Sequence, residues 1–221
     1  MEIKVNGVNL HYEEYGQGSP IILLHGNHED LTIFDKLIDE LKKEYKVYAI
    51  DSRCHGKSED AEEISYELMR DDIIDFIYKL KLNRPVLYGF SDGAIIGIMI
   101  ALKDRNALSR VISSGANVTP NGIKTVFNIL NKLFYFMTKD KITQIMLDEP
   151  QITAEELQTI TIPVNIIAGE KDAIKTKHTK YIHENIPNST LEIVKGEDHG
   201  SYIIHSNKIY NIIIRYLRGE R

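Results

Sequence analysis

The chain is expected to fold as an α/β domain on a mostly parallel, twisted sheet with helices on both faces. Two observations predict this: short continuous apolar runs alternate with segments of helical apolar spacing, and the chain opens on a pair of alternating segments joined by a turn dipeptide. Apolar runs without alternation suit strands buried on both faces, which a parallel sheet covered by helices requires.

The opening pair is Ile3 to Val5 and Val8 to Tyr15, separated by Asn6-Gly7, and reads as an antiparallel β-hairpin. Pro20 precedes the run Ile21 to Leu24, which ends at His25-Gly26, and Tyr45 to Ile50 ends likewise at Asp51. Between them Leu31, Phe34, Leu37, Ile38 and Leu41 recur at helical spacing, followed later by Met69, Ile73, Phe76, Ile77 and Leu80. Pro85 to Phe90 is then a strand, Gly93 to Leu102 a helix apolar on nearly every side, and Leu108 to Ser114 a strand. The last units are Val164 to Ala168 with a helix through Tyr181, and Leu191 to Val194 with a closing helix from about Ser201 to Leu217.

From about Val118 to Ile160 the rhythm breaks, with two helical patterns rich in Phe, Tyr, Met and Leu and no strand. It reads as a helical cap inserted at about 118–160 into a single domain spanning 1–221. Phe127, Leu130, Phe134, Tyr135, Met137 and Met146 either line a substrate pocket or serve ordinary packing, since both roles need apolar surface. An insertion this short suits a compact pocket for small acyl groups.

Composition narrows the partners. The 221 residues are 43% hydrophobic and 27% charged, enough to bury a real core, and the net charge of −5 is spread without acidic or basic blocks. A nucleic-acid partner is therefore not expected, because phosphate binding needs a basic face. Apolar runs such as Ala94 to Leu102 are far shorter than the roughly 20 residues that span a bilayer, so no membrane partner is expected. The first residues alternate like a strand and lack the charged start and apolar block of a signal peptide, which makes the cytoplasm the expected location. Cys54 is the only cysteine, leaving no intrachain disulfide and no multi-cysteine metal site. No metal-ligand cluster stands out, and no cofactor is expected.

The sharpest motif is Gly89-Phe90-Ser91-Asp92-Gly93, a G-x-S-x-G pentapeptide between a strand and a helix. Glycines are needed there because a strand turning abruptly into a helix leaves no room for β-carbons beside a strained serine. The turn also puts backbone N–H groups and the positive helix end beside the hydroxyl, where an oxyanion would form. A serine that only caps the helix is the plainer alternative.

A serine hydroxyl needs a base, and the base an orienting acid. His199 follows the last strand in Glu197-Asp198-His199-Gly200, and Asp172 follows Val164 to Ala168 in Gly169-Glu170-Lys171-Asp172, with Glu170 the nearest substitute acid. Parallel strands end on one edge, so these distant positions converge there.

In that order, Ser91, Asp172 and His199, the chain resembles the α/β-hydrolase superfamily, as an esterase-like member with a small helical cap, and the resemblance runs over essentially the whole chain. It implies an oxyanion hole made by the backbone amides of Asn27, in His25-Gly26-Asn27-His28, and Asp92. The Asn27 side chain either faces the pocket or satisfies its own turn. Asp51-Ser52-Arg53-Cys54-His55-Gly56-Lys57-Ser58 resembles the family's D-x-R-G-x-G-x-S loop but carries Cys54 where glycine is usual. Cys54 is therefore read as structural, either strained or set in a rearranged loop.

The resemblance implies a serine hydrolase acting on a small ester or related acyl compound through an acyl-enzyme. Thioester, amide or carbon–carbon bond hydrolysis and acyl transfer are open on the same triad, and a non-catalytic binding protein on this scaffold is the reading from another class. Relatives with an aspartate nucleophile, the dehalogenases and epoxide hydrolases, do not fit Ser91. The Asp92 carboxylate is expected either to offset the helix dipole or to meet a cationic substrate group.

Overall fold

Asn6 and Gly7 both take positive φ, which folds β1 (Glu2–Val5) back on β2 (Val8–Tyr15) with Val5 opposite Val8. The computed structural model describes residues 1–219. Beyond the hairpin come β3 (Ser19–Leu24), β4 (Tyr45–Ile50), β5 (Val86–Phe90), β6 (Arg110–Ser114), β7 (Val164–Gly169) and β8 (Ser189–Val194). They form one sheet in the order β1-β2-β4-β3-β5-β6-β7-β8, antiparallel at β1-β2 and β2-β4 and parallel from β4 onward.

The parallel strands sort their side chains by the two-residue strand period. Ile22 and Leu24 enter the core under α2 (Tyr66–Lys79) and α3 (Asp92–Lys103). Ile21 and Leu23 enter the opposite core with α1 (Asp35–Leu41) and the C-terminal helix. That double burial is why β3 reads as an unbroken apolar run. α2 begins where the Ser65 side chain accepts the Leu68 amide, while the nearly all-apolar α3 is buried from Asp92 to Ala101.

Between β6 and β7 lie α4 (Thr125–Thr138), α5 (Lys141–Asp148) and the short α6 (Ala154–Leu157), which opens on a capping box of Thr153 and Glu156. α7 (Thr176–Asn185) connects β7 to β8.

The closing helix departs from expectation. It runs only over α8 (Tyr210–Leu217), and Ser201 to His205 form turns. Ile203 and Ile204 both donate backbone hydrogen bonds to the Gly200 carbonyl, and His205 takes a left-handed φ of 49° that ends any helical run. Tyr202, Ile203, Ile209 and Ile213 are nevertheless all buried in one core, so their apolar spacing continues through a break in the backbone.

Candidate active site

Ser91 sits at the β5–α3 turn with φ 50° and ψ −111°, outside the ordinary basins of a non-glycine residue. The flanking glycines make this turn possible. A β-carbon on Gly89 would come within 2.2 Å of the Gly93 carbonyl oxygen, and one on Gly93 within 2.2 Å of the Leu24 carbonyl oxygen. The turn is fixed by the Ser91 amide donating to Ser114 O at 2.8 Å and the Gly93 amide to His25 O at 3.0 Å.

Since β5, β7 and β8 run parallel, the segments after them open on the same edge as Ser91. The Ser91 Oγ lies 3.1 Å from His199 Nε2, and His199 Nδ1 donates to Asp172 Oδ1 at 2.6 Å. Asp172 is 2% exposed, and its carboxylate also accepts the Ile174 and Gly169 amides. Burial pushes this carboxyl up, but the hydrogen bond and charge of His199 and the two amides outweigh it and leave it below its ordinary value. Glu170, the alternative acid, turns away and accepts the Gly196 amide. Gly115 closes the arrangement from below: it takes φ 69°, and a β-carbon there would stand 2.7 Å from His199 Cε1.

The backbone amides of Asn27 and Asp92 donate to no protein acceptor among the described residues. Their side chains are joined, Asn27 Nδ2 donating to Asp92 Oδ2 at 2.9 Å and also to Ile142 O at 3.1 Å. The Asn27 side chain thus neither faces the pocket freely nor satisfies its own turn. Asp92 is 2% exposed, and its other oxygen accepts the buried Tyr66 hydroxyl at 2.7 Å. Burial pushes the Asp92 carboxyl up against the lowering effect of those two hydrogen bonds. Both oxygens accept from protein donors, so the carboxyl bridges the Asn27 loop, α2 and α3 from the first turn of α3, a role not foreseen in either expectation for this residue.

Two cavities meet at Ser91 and His199. One of about 570 Å³ is bounded by Asn27, Glu29, Leu130, Phe134 and Met146. The other, of about 400 Å³, is bounded by Asp92, Asn117, Ile123, Phe127 and Met146. Phe127, Phe134 and Met146 therefore line the space above the serine, as does Leu130, whereas Tyr135 and Met137 line neither cavity.

The sequence reading missed three residues here: Tyr66, Gly115 and Glu29. Glu29 lies in the larger cavity wall, and its carboxyl accepts the Gly26 amide at 2.9 Å. A β-carbon on Gly26 would meet Glu29 Oε2 at 2.7 Å and Ser91 Cβ at 3.0 Å, so acid and serine approach the same glycine. Burial pushes the Glu29 carboxyl up to about 7, against the Gly26 amide and the charge of His199. The one available signal was an acid three residues beyond His25-Gly26.

The Asp51 loop works as a brace. Asp51 accepts the Leu31 and Lys57 amides at 2.8 Å each, and Arg53 makes a buried two-point ion pair with Asp72 at 2.6 and 2.5 Å. Cys54 keeps the glycine-like backbone at φ 62°, and its thiol donates to Ala61 O at 3.5 Å. Buried His25 spans the adjoining strand ends, Nδ1 donating to Gly26 O and Nε2 accepting the Ser52 amide; burial drives it down to about 3, so it stays neutral. Among the described residues no three His, Cys, Asp or Glu side chains converge to hold a metal ion.

The sequence model of the α/β hydrolase fold matches residues 19–161, well over half of the chain. Serine hydrolase BPHL of Homo sapiens is 27% identical over 251 aligned positions, covering 98% of this chain and 86% of that protein. AB hydrolase superfamily protein YisY of Bacillus subtilis is 25% identical and covers 95% of each chain. A thermophilic esterase from Thermogutta terrifontis superposes with a TM-score of 0.82 at 21% identity, over 99% of this chain and 98% of that one.

Proposed function

The chain belongs to the α/β-hydrolase fold family, and on that premise we propose that it is a serine hydrolase that cleaves small esters or related acyl compounds through an acyl-enzyme on Ser91. Hydrolase activity goes with the family. The observation that carries the finer reading is the chain of contacts from Ser91 Oγ through the His199 ring to Asp172, at 3.1 and 2.6 Å.

In the proposed reaction His199 Nε2 takes the Ser91 proton as Oγ attacks the acyl carbon. Asp172 holds the Nδ1–H tautomer and stabilises the imidazolium. The amides of Asn27 and Asp92 receive the oxyanion, where a donor of this kind typically contributes about 3 to 4 kcal/mol. His199 then returns the proton to the leaving group, and water repeats the sequence to free the acid. The two cavities meeting at Ser91 are assigned to the acyl and leaving groups, with Phe127, Phe134 and Met146 as their apolar walls. Asp92 is assigned to positioning the oxyanion loop, in place of contacting a cationic substrate.

The test is covalent labelling with a fluorophosphonate probe, followed by a panel of p-nitrophenyl esters and matched thioesters. Labelling at Ser91, absent in Ser91→Ala, with turnover of short esters is expected. A native protein that neither labels nor turns over any acyl substrate is a binding protein on this scaffold, and the proposal falls.

A further inference from the structure

α4 has no buried residue although nine of its fourteen side chains are apolar or aromatic. Such a helix in water is an anomaly, because a solvent-facing element ordinarily hides its apolar stripe. At about 100° per residue the wheel divides into three arcs. Phe127, Leu130, Asn131 and Phe134 fall on the arc that lines the cavities around Ser91. Val126, Ile129, Leu133, Phe136 and Met137 fall on a second arc, facing outward at 55% exposure or more, with Phe136 at 73% and Met137 at 74%. The third arc carries Lys132 and Tyr135, and Lys124 and Lys139 extend it past the helix ends.

We infer that this outer face of α4 docks the enzyme on an anionic lipid surface. The charge pattern is what singles out lipid. No acidic residue occurs from Lys124 to Lys139, in a chain whose net charge is −5, so the basic residues are segregated onto the border of the apolar face. An apolar arc with lysines along one border suits a helix lying in the plane of a bilayer, apolar side among the acyl chains and ammonium groups among the headgroups. The Lys139 ammonium lies 5.3 and 5.1 Å from the ring centres of Tyr135 and Phe136, its stem following the aromatic surface to the helix end. The outer arc offers no polar atom to fix register against a folded protein. No helix among the described residues is long and apolar enough to cross a membrane, so the association is peripheral. Docked this way, the same helix would present its opposite apolar arc, the cavity wall, to molecules leaving the bilayer.

The experiment is co-sedimentation of the full chain with sucrose-loaded vesicles of phosphatidylcholine alone or mixed equally with phosphatidylglycerol. Binding at least tenfold tighter to the mixed vesicles is expected, weakening as salt screens the lysines. Ile129→Asp with Phe136→Asp should abolish it, and Lys132→Glu with Lys139→Glu should reduce it tenfold or more. These four positions lie off the cavities, so both variants should keep the wild-type melting temperature within a few degrees and the wild-type rate on a soluble ester. Absence of binding overturns the inference, as does equal binding to both vesicles. A dimer in sedimentation velocity that Phe136→Asp splits, without vesicle binding, would assign the face to a second copy of the chain and overturn it as well. Vesicle binding is read without reference to turnover, so its outcome is separate from that of the esterase reading.

Discussion

Asn27 and Asp92 are joined side chain to side chain at 2.9 Å, and these are the two residues whose backbone amides we propose as the oxyanion donors. In the proposed mechanism this bond holds the two donors in place, and the Tyr66 hydroxyl anchors it to α2. Asn27→Ala should therefore lower kcat by roughly 10- to 100-fold with little change in KM, the scale expected when catalytic donors lose their placement. Asp92→Asn keeps one acceptor oxygen but sets an amide NH₂ against the other of its two donors, Asn27 Nδ2 or the Tyr66 hydroxyl, and should fall similarly. The double variant should be far less than multiplicative. Steady-state kinetics on an α-amino ester and its des-amino analogue checks the assignment: equal losses fit positioning, and a loss confined to the amino ester would restore substrate recognition to Asp92.

Ser91→Ala, His199→Ala and the double variant should each lose on the order of 10⁴-fold or more in kcat, because the groups act as a unit. Asp172→Asn should fall steeply while Glu170→Gln, whose side chain faces the Gly196 amide, stays near wild type. A single triad variant keeping a tenth of wild-type kcat would remove its residue from the proposed mechanism.

Gly115→Ala tests the seat of the imidazole. Its added methyl would meet His199 Cε1 at 2.7 Å in a backbone already at φ 69°. A loss of roughly 100-fold in kcat is expected with a folded protein and weaker labelling of Ser91 by the fluorophosphonate probe, reflecting a displaced base. Wild-type labelling would mean that the loop yields without moving the ring.

Glu29 sets the pH behaviour. Its carboxyl holds a proton up to about 7 in the folded chain, against about 4.3 when unfolded, so stability should fall as pH rises across that interval. Its ionisation also places a negative charge in the cavity wall near Ser91, unfavourable to the proposed oxyanion, so kcat/KM should decline through an apparent pKa of about 7. Glu29→Gln keeps an acceptor for the Gly26 amide and removes the charge. That variant should lose the alkaline decline and gain roughly 2 kcal/mol of stability at pH 8, allowing for partial exposure of the native side chain. Identical pH–rate profiles for the two proteins would exclude this role.

What the sequence made legible was whatever local backbone demands dictate. Gly89 and Gly93 announce the turn because no other residue fits it, and apolar runs such as Ile21 to Leu24 announce a parallel sheet because both faces are covered. Ser91, Asp172 and His199 follow from strand ends sharing one edge. Contacts between elements distant in sequence were not legible: Tyr66 looks like one more apolar member of α2, yet its hydroxyl reaches a carboxylate 26 residues on. Glu29 owes its behaviour to burial, which leaves no trace in residue type. The start of α8 was misplaced because Tyr202 and Ile203 share a core with Ile209 and Ile213 without sharing a helix.

The insertion between β6 and β7 is bonded to the loop that carries Asn27, one of the two proposed oxyanion donors. Ile142 O accepts from Asn27 Nδ2, and His28 Nε2 lies 3.0 Å from Thr143 Oγ1 and 3.1 Å from Asp140. Exchanging this insertion for another would be one way to change what the two cavities admit. Here the graft would carry part of the rate with it. A transplanted cap that does not bring a backbone carbonyl to the place of Ile142 O would leave Asn27 with one anchor fewer, and should lower the rate even where it admits a new substrate.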